Sequence, residues 1–545
     1  MPVVHGINRR RRGAVLVLAM IFIVMFTALA MAIAATSGAN VQIASNQHKV
    51  NGALHAAHSG LECAKYVART ATLGETYTNQ ITTAQANQAW ANLCAYVRNM
   101  ELDGKPVPAP CRFADALGEG DQLVTPSLAS GNPNAQFTIR FYRYDSDPRT
   151  IKMLSFGTHG AAIRRIAMDM NVIRDREVLR YAVASRGRVW LTGDTTIHGD
   201  LFSAWDRADI SPYNMTPDSA VRGTINTVIP LEDIERQDYQ LETLDVNDCP
   251  LDVNGMPLGT NYEDRYYEPH DEVKAYHNGI HYGQPYDDMP GMDISDYNTD
   301  LYNAGLTTIP SAPTTNRVVE YFPHAPGRYD QPRDAGSTSF SRHVYENQTF
   351  ANTVLPMNRH ALFRNCTFEQ VLYVDCSKTS TSKQYCNNVR FENCTFNGVI
   401  VTDAPLPFNW KNNCLYFTGA ATFNNQSAIP EATILAPHFN VNLGNANPRQ
   451  SDNNVLTGAI VGGIVDVRGN AQIYGTIISM ADTTMYSSGY VTNIGATLAD
   501  GGSETTEVGD VGVIDITPAE DMMLPSGISS PIIIQPDPRT YTEIF

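Results

Sequence analysis

An α+β fold is what this sequence predicts: a long N-terminal transmembrane helix packed on a small antiparallel sheet, followed by a mainly β domain. That second domain reads as a parallel β-helix with a large irregular insertion. Three observations carry the prediction. Residues 14–35 are apolar without interruption, with Thr27 the one polar side chain among them. Apolar and polar residues alternate through 137–173, the period of half-buried strands. Further on, a 14-residue segment recurs at an offset of 28 residues.

The first element is the helix, expected over 14–70 with its membrane span at 14–35. At 1.5 Å per residue that span is about 33 Å long, enough for a hydrocarbon core of about 30 Å. Arg9, Arg10, Arg11 and Arg12 directly precede it. The positive-inside bias keeps those residues cytoplasmic and sends everything after residue 35 outward. An ordinary cleaved secretory signal has a shorter apolar region, of about 7 to 15 residues. Farther along, Ala53, Ala56, Ala57, Gly60, Leu61 and Ala64 fall at helical spacing. They form a small-residue face suited to close packing on another helix or on a sheet of the same domain.

The second element is a small α/β domain over 71–180, with a helix over 83–100 and strands in 137–144, 152–157 and 162–173. From 181 the texture changes to short β stretches punctuated by Gly, and 181–203 reads as the first strands of the third element. Residues 204–345, acidic and rich in Tyr, Asp, Asn and Pro, read as an insertion. The repeat region is expected over 346–500. In it Leu362-Phe-Arg-Asn-Cys-Thr-Phe matches Arg390-Phe-Glu-Asn-Cys-Thr-Phe, so Asn365 and Asn393, Cys366 and Cys394, and Phe368 and Phe396 are equivalent. Stacked turns of such a unit bury a face that one turn cannot. The Asn residues are expected as a ladder at a bend, and Cys and Phe as inward residues, with the two Cys read as core before a disulfide. Residues 501–545 are expected to supply further strands and to cap the open end of the stack.

Composition narrows the function. The chain of 545 residues carries a formal net charge of −17, which argues against nonspecific nucleic-acid binding. Thirty-nine Gly, 31 Pro and 26 Tyr against 17% charged residues favour strands and turns over helical bundles. Nine Cys without a CxxC pair give neither a disulfide-dense scaffold nor a zinc motif. His270, His277 and His281 with Glu268, Asp271 and Glu272 are candidate metal ligands, and Asp287, Asp288 and Asp293 candidate calcium ligands. Neither set has a known ligand spacing, and a solvated acidic loop explains both better. No metal, cofactor or catalytic residue is therefore assigned. Asp375 and Asp403, equivalent in the repeat, are the carboxylates an enzyme would use, since a polysaccharide-cleaving site needs paired acids. They read first as turn residues.

The layout Arg11-Arg12-Gly13-Ala14, a short basic leader ending in Gly at the start of an apolar run, resembles the prepilins of type IV pili and pseudopili. Asn51-Gly-Ala-Leu-His-Ala-Ala-His-Ser-Gly-Leu is similar to the Ala-Phe-x-Ala-Ala-Glu-Ala-Gly-Leu stretch of PilX-type N-terminal domains, with His58 where the family usually has Glu. The resemblance implies cleavage of leader 1–13 between Gly13 and Ala14 by a prepilin peptidase and methylation of the new terminus. Major pilins carry Glu at the fifth mature position, where this chain has Leu18, so a minor subunit is implied. It would be a minor pilin or pseudopilin-like component in the bacterial inner membrane. Its N-terminus would be cytoplasmic, its partners other pilin or pseudopilin subunits, and its exterior domain periplasmic or at the cell surface for adhesion, capping or protein contact. The alternative is a membrane-anchored polysaccharide-binding or polysaccharide-cleaving protein.

Overall fold

The computed structural model describes residues 11–71, 73–77, 81–100, 102, 104–131, 134–191, 195–207, 211–215, 219–231, 233, 277–285, 291–292, 305–312, 316–321, 339–377, 379–380, 382–403, 412–424, 432–443, 453–467, 470–481, 490–495, 513–518, 524 and 527–544. Two compact units divide the chain, one of residues 1–75, 81–173 and 531–545, the other of 76–80 and 174–530.

The first unit opens with α1 (Arg11–Thr70), a single helix of 60 residues and so about 90 Å long. After β1 (Leu73–Tyr77) comes α2 (Thr83–Asn99), whose start is set by Thr82 and Gln85. The Gln85 amide donates to Thr82 Oγ1 while the Thr82 amide donates to Gln85 Oε1, a reciprocal cap. Strands β2 (Cys111–Asp115), β3 (Gly118–Val124), β4 (Leu128–Ala129), β5 (Ala135–Tyr144), β6 (Asp147–His159) and β7 (Ala162–Arg174) follow. With the C-terminal strand they form an antiparallel sheet in the order β1, C-terminal strand, β7, β6, β5, β3, β2, with β4 beside β5. Burial alternates along β5 to β7 as the sequence period predicts.

The second unit contains β8 (Tyr181–Ser185), β9 (Arg188–Leu191), β10 (Thr195–Ile197), β11 (Asp200–Ser203), β12 (Tyr213–Met215), β13 (Ala220–Val221), β14 (Ile225–Thr227), β15 (Ile280–His281), β16 (Gly291–Met292), β17 (Thr307–Thr308), β18 (Arg317–Tyr321) and β19 (Ser339–Glu346). Then come β20 (Thr349–Leu355), β21 (Leu362–Arg364), β22 (Thr367–Val374), β23 (Asn388–Glu392), β24 (Thr395–Thr402), β25 (Cys414–Thr418), β26 (Thr422–Phe423), β27 (Ala432–Leu443), β28 (Asn453–Thr457), β29 (Ala459–Val467), β30 (Asn470–Tyr474), β31 (Ile477–Ser479), β32 (Tyr490–Ile494) and β33 (Ile514–Thr517). The chain's last strand, which completes the first unit's sheet, is β34 (Ile528–Ile544).

Parallel ladders dominate this unit. One runs β20, β22, β24, β26, β28, β30, β33, β10, β13. A second runs β19, β21, β23, β25, β27, β29, β32, β9, β12. A third passes from the ends of β24, β27 and β29 through β31, β8, β11 and β14 to β15. Successive turns therefore stack in register, and Phe363 pairs with Phe391 as Phe368 does with Phe396.

Two aromatic columns fill the core. Tyr345, Phe363, Phe391 and Phe417 stack at centroid spacings of 5.0, 5.5 and 5.0 Å. Phe350, Phe368, Phe396 and Phe423 do so at 5.4, 5.0 and 4.6 Å. The columns meet edge to face, Phe391 against Phe396 at 5.2 Å. Cys366 and Cys394 are buried free thiols in the same core, 1% exposed each. The Asn ladder lies at a bend: Asn347, Asn365 and Asn393 all have positive φ, at 54°, 50° and 53°. Asn tolerates that left-handed conformation better than bulkier residues, and Gly419, at φ 69°, takes the place in the next turn.

Three expectations need correction. Residues 181–203 are first in sequence but lie beyond the repeat in space, because β8, β9 and β10 pair with β31, β32 and β33. The irregular stretch does not begin at 204, since β12, β13 and β14 extend the ladders to residue 227. Nor does it interrupt them: β15 pairs with β14, and β17 with β20, so the chain between β15 and β17 links strands from two ends of the stack. The described strands of 501–545 are not a cap. β33 pairs on one side with β30 and on the other with β10, and β34 enters the antiparallel sheet. Residues 501–510 lie outside the described residues.

Candidate functional site

α1 has two unlike halves. Residues 14–49 are exposed throughout, including Leu18, Phe22 and Phe26 at 56%, 51% and 66%. This helix is long and apolar enough to cross a membrane. Of the processing residues, Gly13 and Ala14 both lie in the first turn of α1, and leader residues 1–10 are outside the described residues.

From residue 50 onward the helix packs on its own sheet. Ala53, Ala56 and Ala57 are fully buried and Leu61 is 3% exposed. Small side chains are required on both partners. A Cβ on Gly157 of β6 would come within 2.0 Å of the Ala53 carbonyl oxygen and 2.3 Å of the Ala57 nitrogen. A Cβ on Gly60 would lie 2.2 Å from Ser155 Oγ and 2.9 Å from Phe137. Ser155 Oγ donates to the Ala57 carbonyl at 2.8 Å, fixing the helix across the sheet. Farther along, His58 stacks on Tyr541 of β34, with Nε2 3.4 Å from the phenol oxygen.

The repeat brings Asp375 and Asp403 together. Each follows directly on a strand, β22 and β24, whose Val374 and Thr402 are in register. The Asp375 amide donates to the Leu355 carbonyl at 3.0 Å and the Asp403 amide to that of Val374 at 3.2 Å. Burial, the hydrogen bond from Asp403 and the Asp403 charge together push the Asp375 carboxyl up to about 6.

Of the candidate metal ligands, His277 is buried and its Nδ1 accepts from the Gly279 amide at 3.1 Å. Burial lowers its pKa to about 4. His281 is exposed on β15. Glu268, His270, Asp271, Glu272, Asp287, Asp288 and Asp293 lie outside the described residues. Among the described residues no three His, Cys, Asp or Glu form a metal-holding group.

One grouping escaped the sequence reading. Arg342, His360 and Lys383 gather round Phe340, and they come from a strand, a turn and a short helix that share no motif. Arg342 and His360 occupy equivalent positions two residues before Val344 and Leu362, which are paired, while Lys383 lies outside that register.

No family model matches the sequence, and no curated protein matches it. One solved structure that aligns with it is the competence-associated pilin ComZ from Thermus thermophilus. That protein is 13% identical, the alignment covers 82% of this chain and 90% of that one, and the TM-score is 0.23.

Proposed function

We propose that the chain is a minor pilin or pseudopilin-like subunit, anchored in the bacterial inner membrane by residues 14–35 and displaying its second unit outside. The observation that carries this reading is the division of α1, whose first half exposes apolar side chains while its second half is locked onto an antiparallel sheet by Gly157, Gly60 and Ser155. Exposed apolar helix finds a favourable surrounding in lipid or against the equivalent helices of other subunits. Leu18 at the fifth mature position suits a subunit present in few copies. The parallel ladders are read as the faces of a β-helix that serves adhesion, capping or protein contact, with no catalytic role. Prepilin peptidase would process the chain after Gly13.

Mass spectrometry of the mature N-terminus tests this directly. A methylated Ala14 is the expected result; an intact Met1, or cleavage near residue 35, would overturn the assignment.

A second reading, a membrane-anchored polysaccharide-binding or polysaccharide-cleaving protein, is motivated by Asp375 and Asp403, which follow directly on paired strand ends, with the Asp375 carboxyl raised. It requires activity on an acidic polysaccharide that disappears in Asp375→Ala and Asp403→Ala. An inactive wild-type protein would remove it.

A further inference from the structure

We infer that Cys376 and Cys386 form an intramolecular disulfide that closes the loop between β22 and β23. That loop, residues 377–385, reads Ser-Lys-Thr-Ser-Thr-Ser-Lys-Gln-Tyr, and Tyr385, its one large ring, is 40% exposed. Such a sequence supplies no apolar side chain to anchor the loop by packing. The two residues that flank it are the exception, since Cys376 is 3% exposed and Cys386 fully buried.

The backbone sets these two residues opposite each other. On the loop side of the pair, the Ser377 amide donates to the Tyr385 carbonyl at 2.8 Å. On the strand side, Asn387 Nδ2 donates to the Asp375 carbonyl at 2.6 Å. The cysteines are the facing residues between these two closures. Where antiparallel segments approach in this way, facing Cα atoms lie about 4.5 to 5.5 Å apart, within the roughly 4.4 to 6.8 Å that a disulfide spans. Both roots of the loop are fixed in the stack. The Asp375 amide donates to the Leu355 carbonyl at 3.0 Å, the Asn358 amide to the Cys386 carbonyl at 3.0 Å, and the Arg359 amide to Asn387 Oδ1 at 3.1 Å.

Both cysteines stand as thiols here, so the bond is an oxidation. The thiolate of one attacks a sulfur of a disulfide oxidant and forms a mixed disulfide, and the second cysteine then displaces the oxidant's remaining sulfur. Two S–H bonds are lost and one S–S bond is made. The oxidant takes up the electron pair and the two protons and departs as two thiols. Burial pushes the Cys386 thiol up to about 11, which makes its sulfur a poor leaving group and the finished bond slow to reduce. Closing a ring of 11 residues, 376–386, shifts the unfolding equilibrium about a hundredfold toward the folded state in the chain-entropy account. Cys366 and Cys394 are placed differently: their thiols donate to the backbone carbonyls of Arg364 at 3.3 Å and Phe363 at 3.5 Å, within the aromatic core. Formation of the 376–386 bond in the cell needs an oxidising compartment, and to that extent rests on the export proposed above.

Peptide mapping of the detergent-solubilised full chain tests the bond. The chain is reduced, then equilibrated with mixed reduced and oxidised glutathione until its map stops changing, and remaining thiols are trapped with N-ethylmaleimide before digestion. A peptide joining Cys376 to Cys386 is the expected result. Cys376→Ser should abolish that link, while Cys366→Ser, which removes the other thiol of the same tryptic peptide, should leave it in place. Recovery of both cysteines as separately trapped or glutathionylated residues, or joined to other cysteines, would overturn the inference. The wild-type map decides even if Cys376→Ser fails to fold. Mapping the chain trapped directly from cells separates this inference from the proposed location: a link that forms in glutathione but is missing in cells counts against export and leaves the disulfide standing.

Discussion

The helix–sheet seam of the first unit and the aromatic columns of the second achieve burial in opposite ways. At the seam, Ala53, Ala57, Gly60 and Gly157 let two backbones approach until no Cβ fits between them. In the columns, eight large rings fill the centre of the stack, turn upon turn. One region depends on smallness and the other on bulk. The same kind of substitution should therefore harm one and spare the other.

The sharpest way to break that contrast is to swap the two requirements. Phe391→Ala removes a ring that touches neighbours above, below and beside it, and should destabilise the second unit by about 4 kcal/mol, read by denaturant unfolding. Gly157→Ala should cost the first unit about 3 kcal/mol, because the atoms it meets are helix backbone and cannot rotate away. Gly60→Ala meets the rotatable hydroxyl of Ser155 and gains helix propensity, so about 1 to 2 kcal/mol is expected in the same measurement. Should Gly157→Ala prove harmless, the close approach is not what holds α1.

A smaller effect comes from Asp375. Its folded carboxyl is raised to about 6 from 3.8, so the native state binds more protons than the unfolded chain over that interval. The stabilising contribution is complete below pH of about 4 and is lost as pH rises through about 6. Asp403→Asn removes the repelling charge and should flatten that loss by about 1 to 2 kcal/mol, allowing for solvent screening of a half-exposed group. Melting temperature against pH for both proteins checks the sign. Least of all should Glu346→Gln matter, at about 0.5 kcal/mol or less, because its bond to Arg364 is exposed.

Much of the local structure was legible because local rules decide it. Alternation marks β5 to β7, and the 28-residue offset placed Phe368 over Phe396 and Asp375 beside Asp403. What could not be read was order along the stack. Parallel strands pair by position in the ladder, and β8 carries nothing in its sequence that prefers β31 over β22. The Arg342 cluster was hidden for a related reason, since its members are distant in sequence and Lys383 comes from a short helix outside the ladder register. Asp375 and Asp403 read as turn residues, and the structure sets each directly after one of two paired strand ends.

The first unit's sheet has a consequence in time. β7 ends at Arg174 and its neighbour β34 begins 354 residues later, at Ile528. At a synthesis rate of about 5 to 20 residues per second, the β7 edge waits roughly 20 to 70 s for its partner. A chain that stops early, anywhere in the ladders, leaves that edge unpaired, and unpaired edges are what aggregation and proteolysis act on. Pairing of β34 with the sheet therefore ties closure of the β7 edge to synthesis of everything between residues 174 and 528.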